Sequence, residues 1–225
     1  MNQNYIKLTN FFNRNLENFA AKSLHYSEEL ILILQMNETR LKNEYPDVWE
    51  NIISCVANMD ERSPMEYARD VVSSWIFEDY FVKKVNSLKI PNLKIELSGG
   101  DKERKFLNSK KVSSSADTKI YYNGQSCKVE IVNDYTGYWK KTKMLHLRNH
   151  KFESLKKEHA LLLGVDIVNK KYVLLDVNDE NISTVHIDSH KAYGGKEAEQ
   201  INLSDNDFHK FWVGDIINSV IEKFC

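Results

Sequence analysis

The dipeptide Asn123-Gly124 constrains this chain more than any other pair of residues, because it separates two runs that alternate in polarity. Before it stands Asp117-Thr118-Lys119-Ile120-Tyr121-Tyr122; after it stands Gln125-Ser126-Cys127-Lys128-Val129-Glu130-Ile131-Val132. Asn-Gly readily takes the left-handed backbone that a two-residue hairpin turn needs. A turn there pairs Tyr122 with Gln125. Counting outward, it places Lys119 opposite Lys128 and Asp117 opposite Glu130 on one face. The other face pairs Ala116 with Ile131, Thr118 with Val129 and Ile120 with Cys127, which reads as core. Directly opposed residues have Cβ atoms about 4.5–5.5 Å apart, so two carboxylates in that relation repel. A divalent cation removes the repulsion and takes oxygen ligands of this kind. The competing reading is a charged outer face on which each acid is answered by a neighbouring lysine. Register decides the matter, since a slip of one residue sends these side chains to the other face.

The flanking sequence supplies helices and further strands. Residues 5–60 read as mostly helical, with Ser27-Glu28-Glu29 as a start signal and a second start at Pro46-Asp47. Ser63-Pro64-Met65-Glu66 is stronger: a Ser cap, Pro in the first turn and Glu three residues after the Ser form a capping box. The helix it begins is expected to reach about Ser87. Positions 71, 75, 78, 82 and 85 read Val, Trp, Glu, Val, Val, so Glu78 interrupts an apolar stripe, where an unpaired carboxylate is costly. Leu93 to Leu97 alternates and ends at Ser98-Gly99-Gly100, followed by a charged loop over 101–111. Residues 143–158 read as a helix, and 160–168 and 171–177 as strands around Asn169-Lys170. After a polar loop containing Gly194-Gly195, Ser204-Asp205-Asn206-Asp207 reads as the cap of a last amphipathic helix carrying Phe208, Phe211, Trp212 and Ile216. The expected class is α/β (α+β), a mixed central sheet flanked by helices. Residues 1–62 form a helical N-terminal region, a candidate dimer contact, and residues 63–225 the sheet-bearing core.

Charge is unevenly spread. Residues 1–82 carry 7 Lys/Arg and 13 Asp/Glu, residues 83–157 carry 18 and 7, and residues 158–225 carry 6 and 12. A middle segment of net +11 between two acidic ends fits one surface facing a polyanion, or a lysine-rich solvated face paired with those ends. Lys119, Lys140, Lys141, Lys143 and Arg148 lie in that segment and are the candidate DNA contacts. Cys55, Cys127 and Cys225 are odd in number and far apart, which argues against a disulfide framework and for a reducing cytoplasm. No apolar run approaches the ~20 residues of a membrane span. The first residues lack the basic stretch and apolar core of a signal peptide.

An aspartate, a hairpin and an acid flanked by apolar residues together resemble the PD-(D/E)XK nuclease superfamily, the fold of many type II restriction endonucleases. The matching pieces are Ser115-Ala116-Asp117 and Val129-Glu130-Ile131-Val132. Asp134-Tyr135-Thr136-Gly137-Tyr138-Trp139 and Leu147-Arg148-Asn149-His150-Lys151-Phe152 look like segments of such proteins, and the resemblance covers about residues 64–177. It implies a Mg²⁺-dependent, sequence-specific endonuclease acting on double-stranded DNA, commonly a homodimer on a palindromic site. It implies Asp117 and Glu130 as metal ligands, completed by the Ile131 carbonyl and by Glu78 from the preceding helix. Two positions depart from the pattern. Ala116 replaces a proline that varies in the family, and Val132 stands where the motif lysine belongs. A cation from elsewhere must then serve; Lys151, Lys128 and Lys119 are the candidates, with Lys151 preferred and Lys128 next.

Other chemistries leave weaker traces. His146 and His150 have the i, i+4 spacing of a helical zinc pair, but Leu147 stands where the zinc-protease motif has Glu. A His-based nuclease of the HNH type is the runner-up among nucleases. No phosphate-binding loop ending Gly-Lys-Ser/Thr occurs, which disfavours a nucleotide triphosphatase. From other classes, a repair nuclease of the same fold and a non-catalytic DNA- or partner-binding module remain alternatives.

Overall fold

The computed structural model describes residues 3–13, 33–55, 62–104, 106 and 115–224. The start signal at Ser27 and most of the charged loop lie outside them. Among the described residues, helices α1 (Gln3–Phe12), α2 (Glu38–Glu44) and α3 (Pro46–Cys55) precede the long α4 (Pro64–Ser87). The expected capping box is formed at the start of α4. Ser63 Oγ accepts from the Glu66 N–H at 3.2 Å, and Glu66 Oε2 accepts from the Ser63 N–H at 2.9 Å. Among the described residues no helix is long and apolar enough to cross a membrane.

Two sheets follow, and the class is α+β. β1 (Leu93–Leu97), β2 (Thr118–Tyr122), β3 (Gln125–Asp134), β5 (Leu161–Asp166), β6 (Lys171–Asp176) and the short β9 (His209–Lys210) form a six-stranded mixed sheet in the order β1-β2-β3-β5-β6-β9. Only β3 and β5 run parallel. β4 (Met144–Arg148), β7 (Thr184–His190) and β8 (Lys196–Asn202) form a second sheet, ordered β4-β8-β7. Short α5 (Tyr138–Thr142) precedes β4, α6 (Asn149–Glu158) links β4 to β5, and α7 (Val213–Phe224) ends the described chain.

The hairpin forms in the expected register, with Tyr122 opposite Gln125, Lys119 opposite Lys128 and Thr118 opposite Val129. Asn123 and Gly124 sit at φ 48° and 85°, the paired left-handed conformations of this turn. Its core face (Ile120, Cys127, Val129, Ile131) packs with β5 and with α1, α4 and α7 in the larger apolar core. The N-terminal helices share that core: Phe11 of α1 meets Phe211 at 4.8 Å between ring centroids and Phe77 of α4 at 6.2 Å. The opposite sheet face is covered as well. Leu162, Val173 and Leu175 pack there with Leu145, Leu147, Phe152 and Leu155 from β4 and α6.

Four expectations are corrected. Residues 144–148 are a strand, and only Asn149–Glu158 is helical. Alternating Met144-Leu145-His146-Leu147-Arg148 buries Leu145 and Leu147 against the sheet, and tertiary burial overrides helical propensity there. The polar stretch before Ser204 holds β7, largely exposed, and β8, which buries Ala198 and Ile201 within a mostly polar sequence. Ser204 caps only a 3₁₀ turn, Asp205–Asp207, and the last helix starts at Val213. Ala116 is buried, but in the second cluster rather than beside Ile131. Regular alternation ends at Asp117, whose carbonyl is taken by the N–H groups of Ser98 and Gly99 at 2.8 and 3.3 Å.

The turn sets the register of everything that follows. A Cβ on Gly124 meets nothing within 4 Å, so Gly124→Ala costs only the left-handed backbone, about 1–2 kcal/mol. Denaturant unfolding of the purified variant is expected to show that loss, with Asn123→Gly much milder; equal stability of Gly124→Ala and wild type would contradict the turn assignment.

Candidate active site

Three acids named from sequence line one cavity of about 260 Å³, together with Ile131, Asp101, Trp75, Ser74, Val71, Asp70 and Arg62. Asp117 comes from the approach to β2, Glu130 from the middle of β3 and Glu78 from the buried side of α4. Asp117 Oδ2 accepts from the Ile131 N–H at 2.9 Å, which locks the carboxylate across the end of the hairpin. The Asp117 and Glu130 carboxyls approach closely enough to share a hydrogen bond. The repulsion expected from register is therefore present, and it is sharpened by burial: Glu130 is 6% exposed.

Lys151 enters from the first turn of α6. Its Nζ stands 2.8 Å from Glu130 Oε2 and 3.4 Å from the Ser115 carbonyl. The contact with Glu130 is a close ion pair inside the protein. Lys128 is not brought to the acids; it pairs with Glu158 at 3.2 Å. Lys119 lies against the Tyr121 ring at 4.8 Å, on the hairpin. Val132 is half-buried and packs against the second apolar cluster, a lining role that a lysine would disturb.

Glu78 has its own cation. Arg104, buried in the loop after β1, reaches Glu78 Oε2 at 2.8 Å and Asp79 Oδ1 at 2.7 Å. Trp75 Nε1 donates to Asp101. Gly99 makes the crowding possible: a Cβ there would stand 3.0 Å from Asp101 Oδ1 and 3.5 Å from Asp117 Cα. Asp101, Arg104 and Trp75 were not legible as site residues. The only trace was Gly99-Gly100 before a charged loop.

The electrostatics follow from this crowding. Burial, then the Asp117 charge, push the Glu130 carboxyl well above its ordinary range against the pull of Lys151. Burial raises Asp117 too, opposed by Lys151 and the Ile131 N–H. Burial and Asp117 likewise raise Glu78 well above its usual value, despite Arg104. Among the described residues no three His, Cys, Asp or Glu side chains converge as a ready cation cage. What converges is a pair of acids beside Ile131, with Glu78 held on Arg104. Two crowded carboxylates form a hard-oxygen donor set of the kind Mg²⁺ takes, since that ion keeps several waters and needs only one or two carboxylates.

The remaining candidates lie elsewhere. Lys140 and Lys143 both grip Asp205, at 2.5 and 2.6 Å, and hold its carboxyl down at about 2. Lys141 is exposed on α5. The Arg148 guanidinium lies 5.5 Å from the Tyr193 ring centre. His146 is on β4 and His150 on α6, so they do not form the helical zinc pair. Asp134, in the family-like segment, is a turn-former: it accepts from the N–H groups of Thr136, Gly137 and Trp139 at 2.7, 3.0 and 2.9 Å.

No family model matches the chain, and no curated protein matches it.

The raised acids make a stability prediction. A carboxyl whose folded pKa exceeds its unfolded value stabilises the fold while protonated; that contribution is complete below the unfolded pKa and lost as pH rises through the folded one. In chelator, wild type is expected to lose stability from the ordinary carboxylate range, near pH 4, upward through the raised values. Glu130→Gln is expected to flatten that decline and to melt higher than wild type at neutral pH. Parallel melting curves across pH for the two proteins would contradict the picture of crowded acids.

Proposed function

We propose that the chain is a Mg²⁺-dependent endodeoxyribonuclease of the PD-(D/E)XK type, working as a site-specific restriction enzyme on double-stranded DNA. The observation that carries this reading is the meeting of Asp117 and Glu130 in one cavity, with Lys151, 34 residues from Asp117 in sequence, paired to the second acid. The lysine missing at Val132 is answered by an ammonium from α6, 2.8 Å from the second acid. The mixed central sheet flanked by helices is the architecture the resemblance implies.

Each residue has a physical task. Asp117, Glu130 and the Ile131 carbonyl would hold the metal, with Glu78 joining if Arg104 releases it. A bound Mg²⁺ supplies a more acidic water and neutralises charge on the phosphate. Asp117 is kept in position by the Ile131 N–H, so it need not reorganise during the reaction. Lys151 places a positive charge where negative charge grows on the scissile phosphate. Its ammonium is held by the Glu130 carboxylate and the Ser115 carbonyl, which aims it. A binding module without catalysis gains nothing from buried acids that repel phosphate. Two-fold symmetric DNA would be met by a homodimer, the basic middle of the chain facing the duplex.

Plasmid cleavage in Mg²⁺ tests the assignment. Asp117→Ala and Glu130→Ala are expected to abolish cutting. Lys151→Ala is expected to lose about 10²–10³-fold in single-turnover rate while DNA affinity holds within a few-fold. Lys128→Ala loses less, because Glu158 holds that side chain away from the acids. Full activity in either acid variant, or a Lys151→Ala that binds less but cuts at the same rate, would overturn it.

A further inference from the structure

A second cavity opens on the side of α6 remote from the apolar core, at the same turn that delivers Lys151. It has a volume of about 460 Å³ and is lined by Asn149, His150, Asp188, Gly195, Lys196 and Glu197. Asn149 and His150 are the two residues before Lys151. Of the other four, Asp188 comes from the end of β7, Gly195 from the turn, and Lys196 and Glu197 from the start of β8. Asn149 Nδ2 donates to Glu197 Oε2 at 3.1 Å, tying the two walls together.

Its charge pattern excludes a simple phosphate clamp. A surface that grips backbone is uniformly cationic or lined with N–H donors. Here Asp188 and Glu197 face the same space as Lys196, and both would repel a phosphate. Base edges differ from phosphates in offering donors as well as acceptors: the cytosine amino group is read by carboxylates, guanine by Lys or Arg, and adenine by Asn. Glu197, Asp188, Lys196 and Asn149 cover those three chemistries. Burial, with the cations Arg148, Lys151 and Lys196, holds the His150 imidazole below its usual value, so at neutral pH it offers one donor and one acceptor. Gly195, at φ 76°, leaves its backbone open to close approach, since a Cβ there would meet only Ser189 Oγ, at 3.4 Å.

We propose that this groove, between the first turn of α6 and the β7–β8 connection, reads the edges of base pairs next to the scissile phosphate. The inference rests on the nuclease reading above for its occupant, and it adds what that reading lacks, the residues that set sequence preference. The second sheet then has a purpose: β4, β7 and β8 carry the reading groove, and α6 ties it rigidly to the cation at the cut site.

Binding selection from a randomised duplex pool tests the groove apart from cleavage. It uses the full chain carrying Glu130→Gln, with Ca²⁺ in the buffer, alone and combined with Glu197→Gln, Asp188→Asn or Lys196→Ala. Asp188 and Glu197 are exposed and Lys196 is half-buried, so none of the three belongs to the core. The parent is expected to select a consensus, and each groove variant to lose about tenfold or more in discrimination at one or two adjacent positions while other positions keep theirs. An unchanged consensus in all three variants overturns the groove and leaves the nuclease reading standing. Uniform weakening across all sequences also overturns it, since that marks a backbone contact. A selected consensus altered by the groove variants, in a wild type that fails to cut with Mg²⁺, upholds the groove and overturns the nuclease. No selection of DNA by the parent overturns both.

Discussion

Two carboxyl groups held against each other under cover of the sheet are the constraint around which the rest of the molecule is arranged. Asp117 and Glu130 meet because a two-residue turn fixes the register between β2 and β3, and because the Ile131 N–H pins one of the two acids. Left to themselves such groups protonate, as burial and mutual repulsion demand. The neighbourhood supplies partial relief only: Lys151 on Glu130, and Arg104 on Glu78 and Asp79. Five acids (Asp70, Glu78, Asp101, Asp117 and Glu130) line a cavity in which Arg62 is the only cation among the lining residues. That arrangement destabilises the fold, and sites that act on phosphate through a cation are a setting where such strain is retained.

The position of Lys151 depends on the segment between β3 and β5. Asp134 ends β3 by collecting the N–H groups of the next turn, α5 follows, and β4 turns back to pair with β8. Helix α6 then starts within reach of Glu130 and buries Phe152 and Leu155 in the second apolar cluster. A parallel crossover from β3 to β5 needs only a helix; here it also carries a strand of a second sheet. The consequence is mechanical: displacing β4 displaces the ammonium at the site.

Much of this was legible from residues. Asn123-Gly124 between alternating runs determined the hairpin, its register and the meeting of Asp117 with Glu130. Ser63-Pro64-Met65-Glu66 marked the start of α4, and Glu78 in its apolar stripe pointed to the cavity. Lys151 stood in a segment that looked like part of a known fold, and it does reach the acids. The failures have physical causes. β4 alternates like a strand but adjoins helix-forming residues, and only its partner β8 decides between the two. β7 is largely exposed, and β8 buries only Ala198, Glu199 and Ile201 in a mostly polar sequence, so they carry little hydrophobic period. Arg104 and Asp101 sit in a loop whose approach to the site is a tertiary event, with no local pattern to betray it. Lys128, the second choice, lies closer to Glu130 along the chain, but its long side chain turns to Glu158.

The most direct test of the central claim is a cation titration rather than an activity assay. Mn²⁺ added to the protein with a short DNA duplex, followed by the paramagnetic resonance of the free ion, counts bound metal without requiring turnover. The account expects wild type to take up the ion, and Asp117→Asn and Glu130→Gln to lose that uptake while still binding the duplex. Equal uptake by all three proteins, or none by wild type, would contradict the claim that these two buried acids exist to hold a metal.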